Sequence, residues 1–527
     1  MMKLYYPPNH SINWDRCIRC ACALVVLITL VTLFPTGQSV VATPRAHPSL
    51  LALAATHPTT RVRVIVQQAA PHAALPDQIM HAGGKITHNL HLINAFAAEL
   101  PAHAALKLAR MRGVRWVTLD APMHSSSDRC STCPTVSDVL SSYVHTTGAS
   151  RLWFEGPKYL RGQGITVAVV DSGIGSHPDL SDRWKPDSSR VLHEVVFNST
   201  DETSTNDEWG HGTHIAGVIG GNGATSYGAM MGMAPRVNLV SVKVGDNHGG
   251  ATTADVIAGL QWIYDNAAPY NIRVVNLSIT STLSESYHTS ALNAAVELLW
   301  FKGIVVVVSS GNNGIDANGA LYSPANDPFV ISVGAADDRG TPQTTDDALA
   351  PFSSAGLTAD GFAKPDLVAP GANIISLMVS PDAILMKDHP DHRVYGFAGG
   401  DDYYFRMSGT SMAAAVVSGA AALLLQDEPH LTPDQVKYRL VSTARPLPGS
   451  NAGYLDVYAA VKGDTTAYAN EGLTISQILW SDDEPMNWTA ANWTAANWTA
   501  ANWTAANWTA ANWTSIVWDD EKPMLLP

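Results

Sequence analysis

Ile165-Thr166-Val167-Ala168-Val169-Val170-Asp171-Ser172-Gly173 is an apolar run that closes on an acid and a glycine. It lacks the strict alternation of a strand with one wet face, so it suits a strand covered on both sides, as parallel sheets require. Similar runs recur at 237–244, 274–279 and 304–309, each bounded by Gly, Asn or Asp. Between and after them, 253–265, 290–300 and 411–425 carry helical patterns. Thr432-Pro433-Asp434 opens another helix with a cap residue and a proline at the first helical position. The alternation from 165 to about 459 predicts a doubly wound, mostly parallel α/β domain. In such sheets the site lies beyond the carboxyl ends of the strands, where Asp171 stands.

Two further runs carry chemistry. His211 opens His211-Gly212-Thr213-His214-Ile215-Ala216-Gly217, and Ser411 lies in Gly409-Thr410-Ser411-Met412 at the start of an alanine-rich helix. A serine hydroxyl is a weak nucleophile at neutral pH and needs a base beside it. An imidazole titrates near that pH, so it can take the proton and return it to a leaving amine. A carboxylate at a strand end can accept the other ring N–H and fix the tautomer. The first N–H groups of a helix starting at Ser411 suit negative charge developing on a substrate oxygen.

In order and wording these three runs resemble the signatures of the subtilisin-like serine peptidases, and the resemblance extends over roughly 144–459. It implies catalytic roles for Asp171, His211 and Ser411 in an endopeptidase that forms an acyl-enzyme on a subtilisin-like fold. Asn312, in Ser310-Gly311-Asn312, is implied as an oxyanion donor together with Ser411; the alternative is a turn residue that tolerates a left-handed backbone. Leu277, Ser278 and Ile279 are implied as the edge that pairs with an extended peptide, and Ser309, Ser310 and Gly311 as the opposite wall. This chain departs from the pattern at Thr280, where the family commonly has Gly, and at Ala415, where it has Pro. His177 and His214 read as packing residues; no metal ligand is assigned and the chemistry requires no cofactor. A structural calcium is left open and unassigned. The segment 380–404 is longer and more charged than a minimal enzyme needs, with His389, His392, Asp401 and Asp402. It reads as a rim loop and a cation-site candidate, although its carboxylates lack calcium-loop spacing.

The rest of the 527 residues divides by composition. Residues 1–42 hold Lys3, Arg16 and Arg19 and then an apolar stretch over 21–34, the order of an export signal, with a membrane anchor as the alternative. Residues 60–122 predict strand, helix, two strands, helix, strand: a small α+β, ferredoxin-like domain near the lower size limit for independent stability. It resembles the family's inhibitory propeptide, which makes the chain's own leading domain an expected partner and the chain a zymogen. A linker at 123–145 contains Cys130 and Cys133; the other three of the five Cys fall in the leader. The peptidase domain is expected at 146–462, followed by a tail at 463–527.

Within the tail, six Asn-Trp-Thr copies recur every five residues, with Trp488 first and Trp513 last. A period of five gives neither one helical stripe nor one strand face. The repeat resembles the pentapeptide pattern, with a flexible segment for cell-surface retention as the alternative. The Asn-x-Thr triplets and Asn276-Leu277-Ser278 also match glycosylation acceptors. A net charge of −14 argues against nucleic acid as partner. Protein or peptide substrates and an extracellular location are the expectation. Two alternatives stand beside the broad endopeptidase: an adhesion or peptide-binding protein on a peptidase scaffold, and a narrow-specificity processing peptidase.

Overall fold

The strand expected at 165–171 forms as Thr166–Asp171, with all six residues buried, and the sheet winds outward from it. Asn238–Lys243 pairs with it in parallel on one side, with Val191–Val196 beyond, and Ile272–Leu277 pairs with it in parallel on the other. Val305–Ser309, Ile331–Asp337, Leu367–Pro370 and Gly453–Tyr454 extend the sheet in that second direction, again in parallel. Only the short Ala348–Leu349 joins antiparallel. The chain therefore builds one flank, returns to the centre and builds the other. That reversal places the switch point at the carboxyl end of Thr166–Asp171. The computed structural model describes residues 45–68, 74–120, 122–125, 142–182, 185–200, 203–281, 286–314, 322–394 and 403–479. The leader at 1–42, Cys130, Cys133, Asp401, Asp402 and the tryptophan repeats lie outside them.

Local chemistry sets the helix starts. Thr252 and Asp255 form a reciprocal capping box for Thr253–Tyr270, and Thr432 and Gln435 form another for Pro433–Ser442, with Pro433 in the first turn. The Ser290 hydroxyl caps Ala291–Phe301. Thr410–Asp427 is apolar all round because it runs through the core, with every residue from Thr410 to Leu425 buried.

The leading unit is a four-stranded antiparallel sheet in the order Lys85–Leu90, Ala95–Pro101, Arg61–Gln68, Val114–Leu119, carrying Leu75–His81 and Ala102–Leu108. Its strand alternation serves two cores. Val64 and Val66 pack inward with Leu100, Ala105 and Val117, whereas Ile65, Ala95 and Ala97 belong to the core of the large domain. A sheet apolar on both faces in so small a unit requires a partner surface. The unit also starts earlier than the sequence suggests. Pro48–Thr56, which the expected bounds of 60–122 leave out, is a helix whose Leu50 and Ala54 are buried.

Three other expectations change. The linker's first residues form the strand Pro122–Ser125, and Tyr143 is already buried in the large domain. Asn276, matched as a glycosylation acceptor, is buried: its Nδ2 donates to Ser278 Oγ at 2.8 Å and its Oδ1 accepts from Ser418 Oγ at 2.9 Å. The body also continues past 462. The buried Arg439 guanidinium donates to the carbonyls of Gly463 (2.6 Å) and Thr465 (3.0 and 2.7 Å), and Ser476 N donates to both Glu297 carboxylate oxygens (3.1 and 2.9 Å). A buried charge cannot give up such partners cheaply, so these residues are part of the domain.

Ending the chain after Lys462 is therefore expected to lower unfolding stability by about 2 kcal/mol or more, since Arg439 keeps its ion pair with Glu428 but loses the Gly463 and Thr465 carbonyls. Ending it after 479 retains them. Urea unfolding of the two truncations, each carrying Ser411→Ala to prevent self-digestion, checks this difference.

Candidate functional site

At the end of its strand Asp171 Oδ1 accepts from Ser172 N (2.8 Å) and His211 Nδ1 (2.7 Å), with Ser172 Oγ 3.2 Å away and its one proton given to the nearer Asp207. The His211 and Asp171 side chains are 0% and 1% exposed, so the pair is sealed from water. His211 opens the helix His211–Gly220, and that helix approaches Asp171 because residue 212 has no side chain. A Cβ there would lie 2.1 Å from Gly173 O.

Asp207 sits behind this pair; in the sequence it and Glu208 precede His211, and Asp171 rather than either of them reads as the carboxylate that orients the ring. Its Oδ1 accepts from Ser172 Oγ and Gly210 N, each at 2.8 Å, and its Oδ2 from Thr213 N (2.8 Å) and Thr213 Oγ1 (2.7 Å). Ser172 Oγ in turn accepts from Gly212 N at 3.0 Å. Burial raises the Asp207 pKa, and the four donors hold it down. An acid four residues before a histidine is too common a pattern to carry this role in sequence.

The two other histidines are tied into the structure. His214 Nε2 donates to the carbonyls of Ile374 (3.2 Å) and Phe405 (3.1 Å). Burial, with His211 nearby, lowers its pKa to about 3, so the ring is neutral. His177 accepts from Asp179 N at Nδ1 (3.1 Å) and meets Tyr403 O at Nε2 (3.2 Å); burial lowers its pKa as well.

Ser411 is the second residue of its helix, and Ser411 Oγ donates to Ser278 O at 3.4 Å while Ser278 Oγ donates to Ser411 O at 3.3 Å. Asn312 Oδ1 accepts from Thr410 N (2.9 Å) and Thr410 Oγ1 (3.0 Å), which sets the orientation of its amide. Gly311, at φ 102°, donates its N–H to Thr410 Oγ1 at 3.1 Å. Ser309 ends Val305–Ser309, and Ser310 Oγ donates to Ser354 O at 3.0 Å. The segments holding Ser278, Asn312 and Ser411 thus meet at one point. Ala415, where a proline would preset the helix, is buried within it.

Leu277 belongs to the central sheet, opposite Val170 and Val308. The sheet edge beyond it is Ile279–Thr280, and the chain already occupies that edge. Pro122–Ser125 lies antiparallel to it, Ser125 opposite Ile279 and His124 opposite Thr280. The other side of the same segment pairs with Gly250–Thr252, a second edge that the sequence reading missed. Its signal is only three residues long and merges with the cap of the following helix. Upstream, the leading unit is anchored on that helix: Asp120 accepts from Ala254 N (3.0 Å), Leu92 N donates to Gln261 Oε1 (2.8 Å), and His88 Nε2 lies 3.4 Å from Asp255 Oδ1.

Residues 162–471 match the Subtilase family. Serine protease AprX of Bacillus subtilis is 43% identical over 283 residues, which cover 53% of this chain and 60% of AprX, so the match spans less than two thirds of that relative. Subtilisin E of the same species is 30% identical over 428 residues, covering 79% of this chain and 95% of subtilisin E. Among solved structures, fervidolysin from Fervidobacterium pennivorans, a keratinolytic enzyme related to subtilisin, aligns with a TM-score of 0.59 at 23% identity over 78% of this chain and 62% of its own, a likeness of fold. With Asp171, His211, Asn312 and Ser411 all inside the matched span, the chain belongs to the subtilase family of serine endopeptidases.

Proposed function

We propose that the protein is a secreted endopeptidase that cleaves proteins through Asp171, His211 and Ser411, and that it is made as a zymogen held by its own leading unit. The observation that carries the catalytic reading is the 2.7 Å bond from His211 Nδ1 to Asp171 Oδ1 between two sealed side chains. It leaves Nε2 as the basic nitrogen, since Nδ1 carries its proton toward the carboxylate. In the reaction Ser411 Oγ attacks the scissile carbonyl as His211 Nε2 takes its proton. The imidazolium then protonates the leaving amine, and water repeats the sequence on the acyl-enzyme. Negative charge on the tetrahedral oxygen is met by the Ser411 backbone N–H at the helix start and by Asn312 Nδ2.

Substrate would enter as an extended strand between Gly250–Thr252 and Ile279–Thr280, its backbone paired on both sides. Pro122–Ser125 occupies that position in the uncut chain, which supports the leading unit as inhibitor. A cut within 122–150 would open the cleft. Export through 1–42 and retention through the tryptophan repeats are read from sequence alone.

Intact mass over time, for full-length protein beside Ser411→Ala, tests both parts. The parent is expected to shed its leading unit while the variant stays whole. A parent that stays whole yet is labelled at Ser411 by phenylmethanesulfonyl fluoride overturns self-processing; one that is neither cut nor labelled overturns the peptidase reading. In matured enzyme, Asn312→Asp keeps an oxygen to accept from both Thr410 donors and removes the amide donor, and it is expected to lower kcat roughly 100-fold or more with little change in KM. Asp207→Asn turns a donor toward N–H and O–H groups that now donate to it. Steady-state peptide hydrolysis should show a kcat loss of about 10- to 100-fold, by analogy with other orienting carboxylates, with the His211 limb of the pH profile displaced.

A further inference from the structure

The structure points to a second site on the rim segment that the fold does not require. After Leu377 the chain leaves the strand Ile374–Leu377, forms the short helix Ile384–Asp388 and the single turn Pro390–His392, and returns through Arg393–Val394, which pairs with Tyr404–Met407. In that turn one ligand atom each from His389, Asp391 and His392 lie within 4.8 Å of one another, the only such group of three among the described residues.

We propose that His389, Asp391 and His392 form a binding site for a divalent transition metal of the zinc class. Two imidazoles and a carboxylate are the donor set of such ions; calcium and magnesium take oxygen ligands instead. Tetrahedral donors about 2.1 Å from an ion lie roughly 3.4 Å from one another. Asp391 Oδ2 and His392 Nε2, at 3.9 Å, are about half an ångström wider than that. The closure from within 4.8 Å falls on the more exposed side of the cluster: the Asp391 side chain is 78% exposed and His389 is half-buried, whereas His392 is buried and packs its ring on Phe405 at 5.7 Å between centroids. The His389 and His392 rings stack near-parallel, 5.2 Å apart, so His389 must turn about its side-chain bonds to bring both in-plane lone pairs onto one ion, while the bond from His392 N to His389 O at 3.1 Å holds the turn closed around Pro390. Three protein ligands leave further positions on the ion for water.

The cluster is joined to both sides of the active site. The helix preceding it donates Ile384 N to Glu208 O (3.0 Å) and Leu385 N to Trp209 O (3.2 Å), in the turn that delivers His211. Met386 lies against Gly210, where a Cβ would come within 2.6 Å of its sulfur. On the other side, the strand that follows His392 pairs with Tyr404–Met407, which leads directly to Ser411. A bound ion would therefore pin a segment that contacts the approaches to both residues, and its expected effect is stabilisation of the native domain by ligand linkage.

The test uses full-length protein carrying Ser411→Ala, stripped with EDTA, beside the same protein with His389→Ala or Asp391→Ala. Co2+ titration followed by its visible d–d absorption, Zn2+ competition against it, and thermal unfolding with and without Zn2+ are measured on all three. The parent is expected to bind one Co2+ that Zn2+ displaces, and Zn2+ should raise its unfolding midpoint. Each variant should bind at least about ten-fold more weakly, the least that losing a direct ligand should cost when orienting partners alone are worth that much, and lose the Zn2+ stabilisation. Asp391 is exposed and His389 half-buried, and unchanged midpoints without metal confirm that folding is intact. Equal Co2+ binding and equal Zn2+ stabilisation in all three proteins, or neither in the parent, overturns the site.

Discussion

Four hydrogen bonds converge on the carboxylate of Asp207, and the geometry of the active site depends on them. Two come from backbone N–H groups at the start of the His211 helix and one from the Thr213 hydroxyl of its first turn. The fourth comes from Ser172, the residue after Asp171. A buried carboxylate accepts this placement only if its lone pairs are satisfied, and here the donors that satisfy it are the loops that must be aligned. The helix N-terminus adds favourable potential to the same charge. The Asp171–His211 bond is therefore set from behind, by a group that touches no substrate. Gly212 completes the arrangement by letting the two backbones approach to a distance that any Cβ would prevent.

Much of this was legible because its causes are local. An apolar run ending in Asp171 had to be a buried strand end, and the Thr432-Pro433 cap had to start a helix. A serine before an alanine-rich stretch had to sit at a helix N-terminus. The features that sequence reading missed have causes distant in the chain. Pro122–Ser125 carries no periodicity of its own and becomes a strand only because two edges, more than a hundred residues downstream, supply its partners. Residues 463–476 look like the start of a tail until Arg439 and Glu297 are seen buried and in need of them. Asp207 is one acid among many until the folded loops surround it. Asn276 fails as a glycosylation acceptor for the same kind of reason, because its triplet lies in a central strand.

The two edges that frame the cleft pose a problem that the leading unit solves. An unpaired strand edge beside an apolar pocket recruits other chains, and a slow-folding parallel sheet exposes such edges for longer than a helical protein does. In the cleft proposed here for substrate, two such edges cannot be blunted with charge or proline without losing their use. Here both are covered from within the same chain, so the covering segment is present at high effective concentration as soon as the sheet forms. The leading sheet needs the large domain in turn, since Ile65, Ala95 and Ala97 have no other core to join. Each part satisfies groups the other cannot bury alone, and a unit of this size whose sheet is apolar on both faces is marginal in water by itself.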